Sequence, residues 1–188
     1  NIKRDVKTYH INPAMFTEAF LPYAEAGDSI IYLCFSTGIA GTFNAASIAL
    51  NNIREDYPDF DLTIIDSKCA SIGFGLLVSK LVTILEKGAS KEELIEAADY
   101  YISHIRHVFT VQTLAYLIKG GRLTRFKGTL AETLDMKPVL IVNEAGALAV
   151  IKTVRGRKKS LRFLIDYAKD HISPSEIQTV ALCHAEDP

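Results

Sequence analysis

Two short apolar runs rich in β-branched residues, SIIYLCF at 29–35 and LTIID at 62–66, each lead into a turn of small residues and then into a segment with helical spacing. Apolar runs without polar alternation suit strands buried on both faces, and strands interleaved with helices imply a βαβ-type sheet covered on both sides. Reading outward, Asn12-Pro13 offers an N-cap followed by proline at the first helical position, which predicts a helix over 13–26 ending at Gly27. Further helices are expected over 42–57, over 71–86, and from a capping box, Ser90 with Glu93, to about residue 106. The 71–86 segment is apolar nearly all round, from Ile72 through Ile84. Burial in a core accounts for most of that, and a sharper reading makes one face the wall of an apolar tunnel.

The rhythm changes after residue 111. LAYLIKGGRL reads as a short helix ended by Gly120-Gly121, and residues 125–134 suggest another. KPVLIVNEAGALAVIKTV reads as a hairpin around Asn143 to Gly146, followed by a helix over 158–171 and a final strand over 179–183. The expected fold is therefore α/β with two closely packed lobes. Residues 1–111 would form a mostly parallel sheet with helices on both faces, and 112–188 a mixed sheet containing the antiparallel hairpin. No Ser- or Pro-rich linker and no internal repeat separates them. A cleft between the lobes is the natural place for a ligand.

At 188 residues, a chain of this kind buries roughly 70% of the surface its unfolded form exposes, so it needs no staples. A net charge of −1 removes any global attraction to nucleic acid or acidic membranes. Cys34, Cys69 and Cys183 are odd in number, far apart and without metal-ligand spacing, and they read as reduced core residues of a cytoplasmic protein. The first ten residues are polar, unlike a signal peptide, and no apolar run reaches the roughly 20 residues of a membrane span. No metal cluster and no carboxylate pair stands out.

The turn FSTGIAGT lies at the carboxyl end of the first strand run, where helix-start N–H groups can face a ligand. Its glycines allow close backbone approach, and Ser36, Thr37 and Thr42 add hydroxyls, which equips it for an anion. No Lys or Arg lies between Ser29 and Asn52, so a triphosphate would find too little positive charge, and the P-loop and dinucleotide patterns both fail. A single carboxylate needs only a few neutral donors. A helix-start cluster with no ligand fits the residues equally well. A serine-hydrolase elbow places its serine between two glycines, whereas Ser36 stands between Phe35 and Thr37. An acyl-ester hydrolase or acyltransferase using Ser36 or Thr37 with a histidine base is the alternative function. His184, after the expected final strand, reads more simply as an ordinary surface histidine. In the second strand-to-helix turn, IIDSKCASIGFG, Asp66 either binds something or caps its own turn. The run from Lys152 to Arg162 carries six cations without an acid, which suits a solvated face or the docking of an acidic protein. It is too short, and too poor in aromatics, for nucleic acid.

Several segments together resemble the DegV family of bacterial fatty-acid-binding proteins. KTYHINPAMF is similar to the family's Lys-Thr-Ser-Gln-Pro-Ser-Pro segment, FSTGIAGTFNAA to its Ser-Ser-Gly-Leu-Ser-Gly-Thr turn, and IDSKCASIGFG to its Asp-Ser-Lys loop. YLIKGGRL and MKPVLIVNEAGALAVIKTVRGRKKS match two further family stretches in the same order. The resemblance implies a carrier without catalysis, cofactor or metal, which buries one long-chain fatty acid such as palmitate, stearate or oleate between its lobes. It further implies that the carrier presents the carboxyl group to a separate fatty acid kinase, whose acyl-phosphate product feeds phospholipid synthesis. On that reading Thr8, Ser36, Thr37 and Gly38 hold the carboxylate, and Ile39, Thr42, Asp66, Ser67 and Phe74 line the tunnel or its nearby loops. Arg122, Arg155 and Arg157 belong to the partner surface, and the reading leaves room for peripheral membrane contact. Tyr9 and His10 stand where the family has Ser-Gln, and Ala40 stands where it has a second serine. The family's opening strand and its closing His-x-Gly-Pro-Gly motif have no counterpart, so a fragment of a longer protein is expected.

Overall fold

The computed structural model describes residues 9–123, 135–173 and 178–185. Thr8 and the helix expected at 125–134 lie outside them. Strands β1 (Ile30–Cys34) and β2 (Leu62–Asp66) pair in parallel, with Ile30 opposite Leu62 and Cys34 opposite Asp66. Side chains alternate across the pair, as the two-residue period of a strand requires. Ile30, Tyr32, Leu62 and Ile64 pack on helices α1 (Pro13–Ala26) and α2 (Thr42–Asp56), in a core with Phe16, Phe20, Ala46 and Ile53. Ile31, Leu33 and Ile65 face the other way, onto Leu77 and Leu81 of α3 (Ser71–Leu85) and Leu94 and Ala98 of α4 (Lys91–His104). Local signals set the helix starts. The Asn12 side chain accepts from the Met15 N–H at 3.0 Å, and Ser90 with Glu93 forms the reciprocal capping box.

Strands β3 (His107–Thr110), β4 (Met136–Val142) and β5 (Leu148–Arg155) form a second sheet in that order. Both pairings are antiparallel, so among the described residues the sheet is not mixed. One face holds a core of Leu114, Leu123 and Leu140, closed by helix α5 (Ala115–Lys119) and its flanks. Helix α6 (Arg157–Asp170) contacts all three strands.

Further sequence expectations need correction. β3 has no counterpart among them: four residues directly after a helix are too few to show a period, and their pairing with β4 is long-range. It lies before residue 112 yet joins the second sheet. Residues 179–183 form no ladder. Their β-branched residues favour an extended chain, but no described strand lies beside them. They run along α3, where Lys80 Nζ donates to Thr179 Oγ1 at 2.9 Å and Ser71 Oγ lies 3.8 Å from Cys183 Sγ. Cys183 is consequently exposed and not a core residue, whereas Cys34 and Cys69 are buried. Among the described residues no helix is long and apolar enough to cross a membrane.

Candidate functional site

Because β1 and β2 are parallel, their carboxyl ends lie side by side and both strand-to-helix loops emerge at one edge. The loops are bonded to each other: the Ser36 N–H donates to the Cys69 carbonyl at 3.1 Å and the Ser67 N–H to the Cys34 carbonyl at 3.2 Å. The hairpin loop from the second sheet sits on top of them. Ser36 is fully buried, and its Oγ donates to the Gly146 carbonyl at 2.7 Å while accepting from the Gly38 N–H at 3.3 Å. A Cβ on Gly38 would stand 2.6 Å from the Gly146 carbonyl carbon. Gly146 itself has φ +74°, and a Cβ there would run into Ser36 Oγ. Only a pair of glycines permits this contact between the lobes.

Thr37 is exposed at the tip of the turn and is tied to Asp66. Its N–H donates to Asp66 Oδ1 at 3.1 Å and its hydroxyl to Asp66 Oδ2 at 2.5 Å, and the Lys68 N–H also donates to Oδ1 at 3.1 Å. The N–H groups of Ile39 and Ala40 both donate to the Ser36 carbonyl. Every N–H from residue 36 to residue 40 thus has a partner inside the protein. The backbone donors expected from the sequence are therefore not those of residues 36–40 but those at the start of α2, where the N–H groups of Gly41, Thr42, Phe43 and Asn44 have no partner among the described residues. Thr42 Oγ1 donates to the Phe35 carbonyl at 3.4 Å, and the buried Ser67 accepts from the Cys69 N–H at 3.1 Å. The Phe74 ring lies 6.1 Å from that of Phe35, which gives the loops an apolar flank. Lys68 and Ser71 hold left-handed backbone at φ 47° and 49°, a strain of about 1 to 3 kcal/mol each that these hydrogen bonds must offset.

Burial, then the negative charge of Asp66, pushes both Cys34 and Cys69 up to about 11, so they remain thiols and are not nucleophiles. His107 on β3 reaches the same edge from the second sheet. Its Nε2 accepts from the Ala70 N–H at 3.3 Å, and its ring occupies the space that a side chain on residue 73 would need. Burial lowers its proton affinity below the ordinary 6.5, in keeping with an unprotonated, accepting Nε2. The described geometry lends the hydrolase alternative no support. The Ser36 and Thr37 hydroxyls donate to a carbonyl and a carboxylate, and neither is bonded to a histidine. His184 is exposed. Among the described residues no group of three metal-ligating side chains comes together.

The remaining expected residues lie elsewhere. The Arg122 guanidinium donates to the Gly120 carbonyl. Arg155 ends β5 and Arg157 begins α6, and an open groove of about 660 Å³ there is lined by Arg155, Lys158, Lys159, Leu161, Arg162 and Ile165. Ile39 is half-buried within the turn. The turn, the Asp66 loop and Phe74 are therefore brought together, and the cations form a separate surface. Gly146 and His107 were missed. The asparagine-to-glycine spacing of residues 143–146 marks a hairpin turn but carries no sign of what the turn will touch.

The family model described as "Uncharacterised protein, DegV family" matches residues 2–188. A DegV domain-containing protein of Clostridium perfringens is 37% identical over 95% of this chain and 62% of its own length. One from Lactococcus lactis is 33% identical over 86% of this chain and 56% of its own. The chain thus spans about three fifths of the length of these relatives. Among solved structures, a stearic acid-binding protein from Eubacterium ventriosum superposes with a TM-score of 0.80 at 30% identity, covering 88% of this chain and 56% of that one. The fatty acid kinase (Fak) B3 protein of Streptococcus pneumoniae, loaded with linoleic acid, gives 0.74 at 31%, covering 85% and 56%.

Proposed function

The chain belongs to the DegV family, and from that premise we propose that it is part of a fatty-acid carrier. It holds one long-chain acid between its lobes with the carboxyl group at the edge where the Ser36-Thr37-Gly38 turn meets the hairpin loop. The observation that carries this reading is that contact: two lobes joined at a turn that presents an exposed Thr37, with Phe35 and Phe74 beside it. Solved relatives of the same fold hold stearic, vaccenic, heptadecanoic and linoleic acids. Burial of the acyl chain supplies affinity at about 0.8 kcal/mol per CH₂, and the head group adds orientation. Thr8 completes the head-group site and α3 lines the acyl tunnel. Ser36 acts by fixing the turn to Gly146, and Thr37 makes the contact.

The carrier works in the cytoplasm and hands its carboxyl group to a fatty acid kinase. An oxygen of that group attacks the γ-phosphorus of ATP, the bond to the β-phosphate oxygen breaks, and ADP leaves with acyl-phosphate formed for phospholipid synthesis. The cationic run around Arg155 and Arg157, with Arg122, faces the kinase. Incubating the oleate-loaded protein with a bacterial fatty acid kinase, ATP and hydroxylamine should yield the acyl hydroxamate. The charge-reversed R155E/R157E protein should still bind oleate but yield little product. Equal product from both proteins overturns the partner assignment, and no product from the loaded wild type overturns the kinase role.

A further inference from the structure

Resting on the carrier reading, we propose that Lys68 holds the phosphoryl group of the acyl-phosphate product at this edge and contributes little to the grip on the fatty acid itself. Three loops meet here, residues 35–41, 67–70 and 143–147, and Lys68 is the one Lys or Arg in them. It stands where the lobes join. The point at which a Cβ of Gly146 would run into Ser36 Oγ lies 3.3 Å from the Lys68 Cα and 3.4 Å from its Cβ. The N–H groups of Lys68 and Thr37 donate to the same oxygen, Asp66 Oδ1, at 3.1 Å each. The flexible four-carbon stem of the lysine therefore starts beside Thr37 and can carry its ammonium to whatever Thr37 contacts.

Two features set this lysine apart from an ordinary surface cation. Its backbone is held in the left-handed region at φ 47°, which a non-glycine residue keeps only where its surroundings enforce it, and the bond to Asp66 is part of that enforcement. Its side chain is exposed, and its ammonium has no partner among the described residues. The carboxylate beside it is already met by three hydrogen bonds, two from N–H groups and one from the Thr37 hydroxyl. The head group decides when a full positive charge is needed. A carboxylate carries a single negative charge, and neutral donors suffice for it. The unpartnered N–H groups of Gly41 to Asn44 lie on that side of the turn, flanked by the His10 ring, and the proposed site adds the Thr8 hydroxyl. A phosphoryl group carries about −1.5 to −2 at neutral pH, and Asp66 and Glu144 both oppose it. One helix start offers about half a unit of positive charge, which leaves most of that unmet. The lysine ammonium, a compact charge with three donors, suits phosphate oxygens and supplies the remainder.

The test compares two ligands with the same acyl chain on the purified protein. One is palmitate, and the other is the stable analogue of palmitoyl-phosphate in which CH₂ replaces the anhydride oxygen. Displacement of a fluorescent fatty acid reads both affinities. K68Q should bind palmitate within about twofold of the wild type but the phosphonate at least about tenfold more weakly, as the loss of one charge-assisted contact implies. K68R, which keeps the charge, should recover most of that loss. Added salt should weaken phosphonate binding more in the wild type than in K68Q. If K68Q folds poorly, K68G repeats the test, because glycine adopts this backbone without strain. An equal loss for both ligands, or a phosphonate affinity that neither K68Q nor K68G changes, overturns this inference and leaves the carrier reading standing. Wild-type protein that binds palmitate but not the phosphonate does the same. Wild-type protein that binds neither overturns the carrier reading and this inference with it.

Discussion

The two sheets are closed in different ways. β1 and β2 carry two cores, one on each face, and the cores share nothing but the strands between them. The β3-β4-β5 sheet has a core around Leu140 on one face and α6 against the other, where Val139 of β4 and Ser160 of α6 are fully buried while Leu161 and Ile165 of α6 remain 43% and 51% exposed. Parallel strands must be covered on both faces, and the antiparallel sheet is covered on both here as well, but on one side by a single helix whose outer apolar residues stay exposed. The first lobe is thus built as a rigid support that holds two loops at one edge. The second contributes a hairpin tip that sits on those loops and a cationic helix beside an open groove.

The contrast should show first in core truncations. Leu77→Ala, at a fully buried position between the parallel pair and α4, should cost about 2 to 5 kcal/mol in urea unfolding. A loss below 1 kcal/mol would mean that this face is loosely packed. Next come the residues that join the lobes. Gly146→Ala adds a Cβ at positive φ against Ser36 and should cost about 1 to 3 kcal/mol by the same measurement. It should also raise the amide exchange rate of residues 36–40 more than that of α4.

A smaller effect is expected from acid. His107 is held neutral by burial, with its folded proton affinity below the ordinary 6.5. Its contribution to stability is complete above the unfolded value and is lost as pH falls through the folded one, because the unfolded chain then binds the proton more readily. Protonation also removes the acceptor for the Ala70 N–H. The stability of His107→Gln should therefore fall less steeply below pH 6.5 than that of the wild type, and parallel curves would remove His107 from the account. Smallest of all, Leu161→Ser on α6 should change stability by no more than about 0.5 kcal/mol, and a larger loss would show that this face is covered.

Much of the first lobe was legible in the chain. Asn12-Pro13, the Ser90 and Glu93 box and the two β-branched runs are local signals, and local signals place elements well. β3 escaped notice because a four-residue strand gains its identity from β4, about 30 residues further on. Residues 179–183 carry the composition of a strand but lie along a helix, because pairing depends on a neighbouring strand and not on composition. At the candidate site, the small-residue turn stands out in the sequence, but the direction of its hydroxyls does not. That Ser36 turns inward to Gly146 and Thr37 across to Asp66 depends on contacts 110 and 29 residues away, which no spacing within FSTGIAGT encodes.

The central claim is that this protein carries a fatty acid, and mass spectrometry of the purified protein tests it most directly, first under native and then under denaturing conditions. The account predicts an added mass that survives native spraying, disappears on denaturation, and is released as about one long-chain acid per chain. Repeated preparations whose native and denatured masses agree, with no acid in the extract, would contradict it.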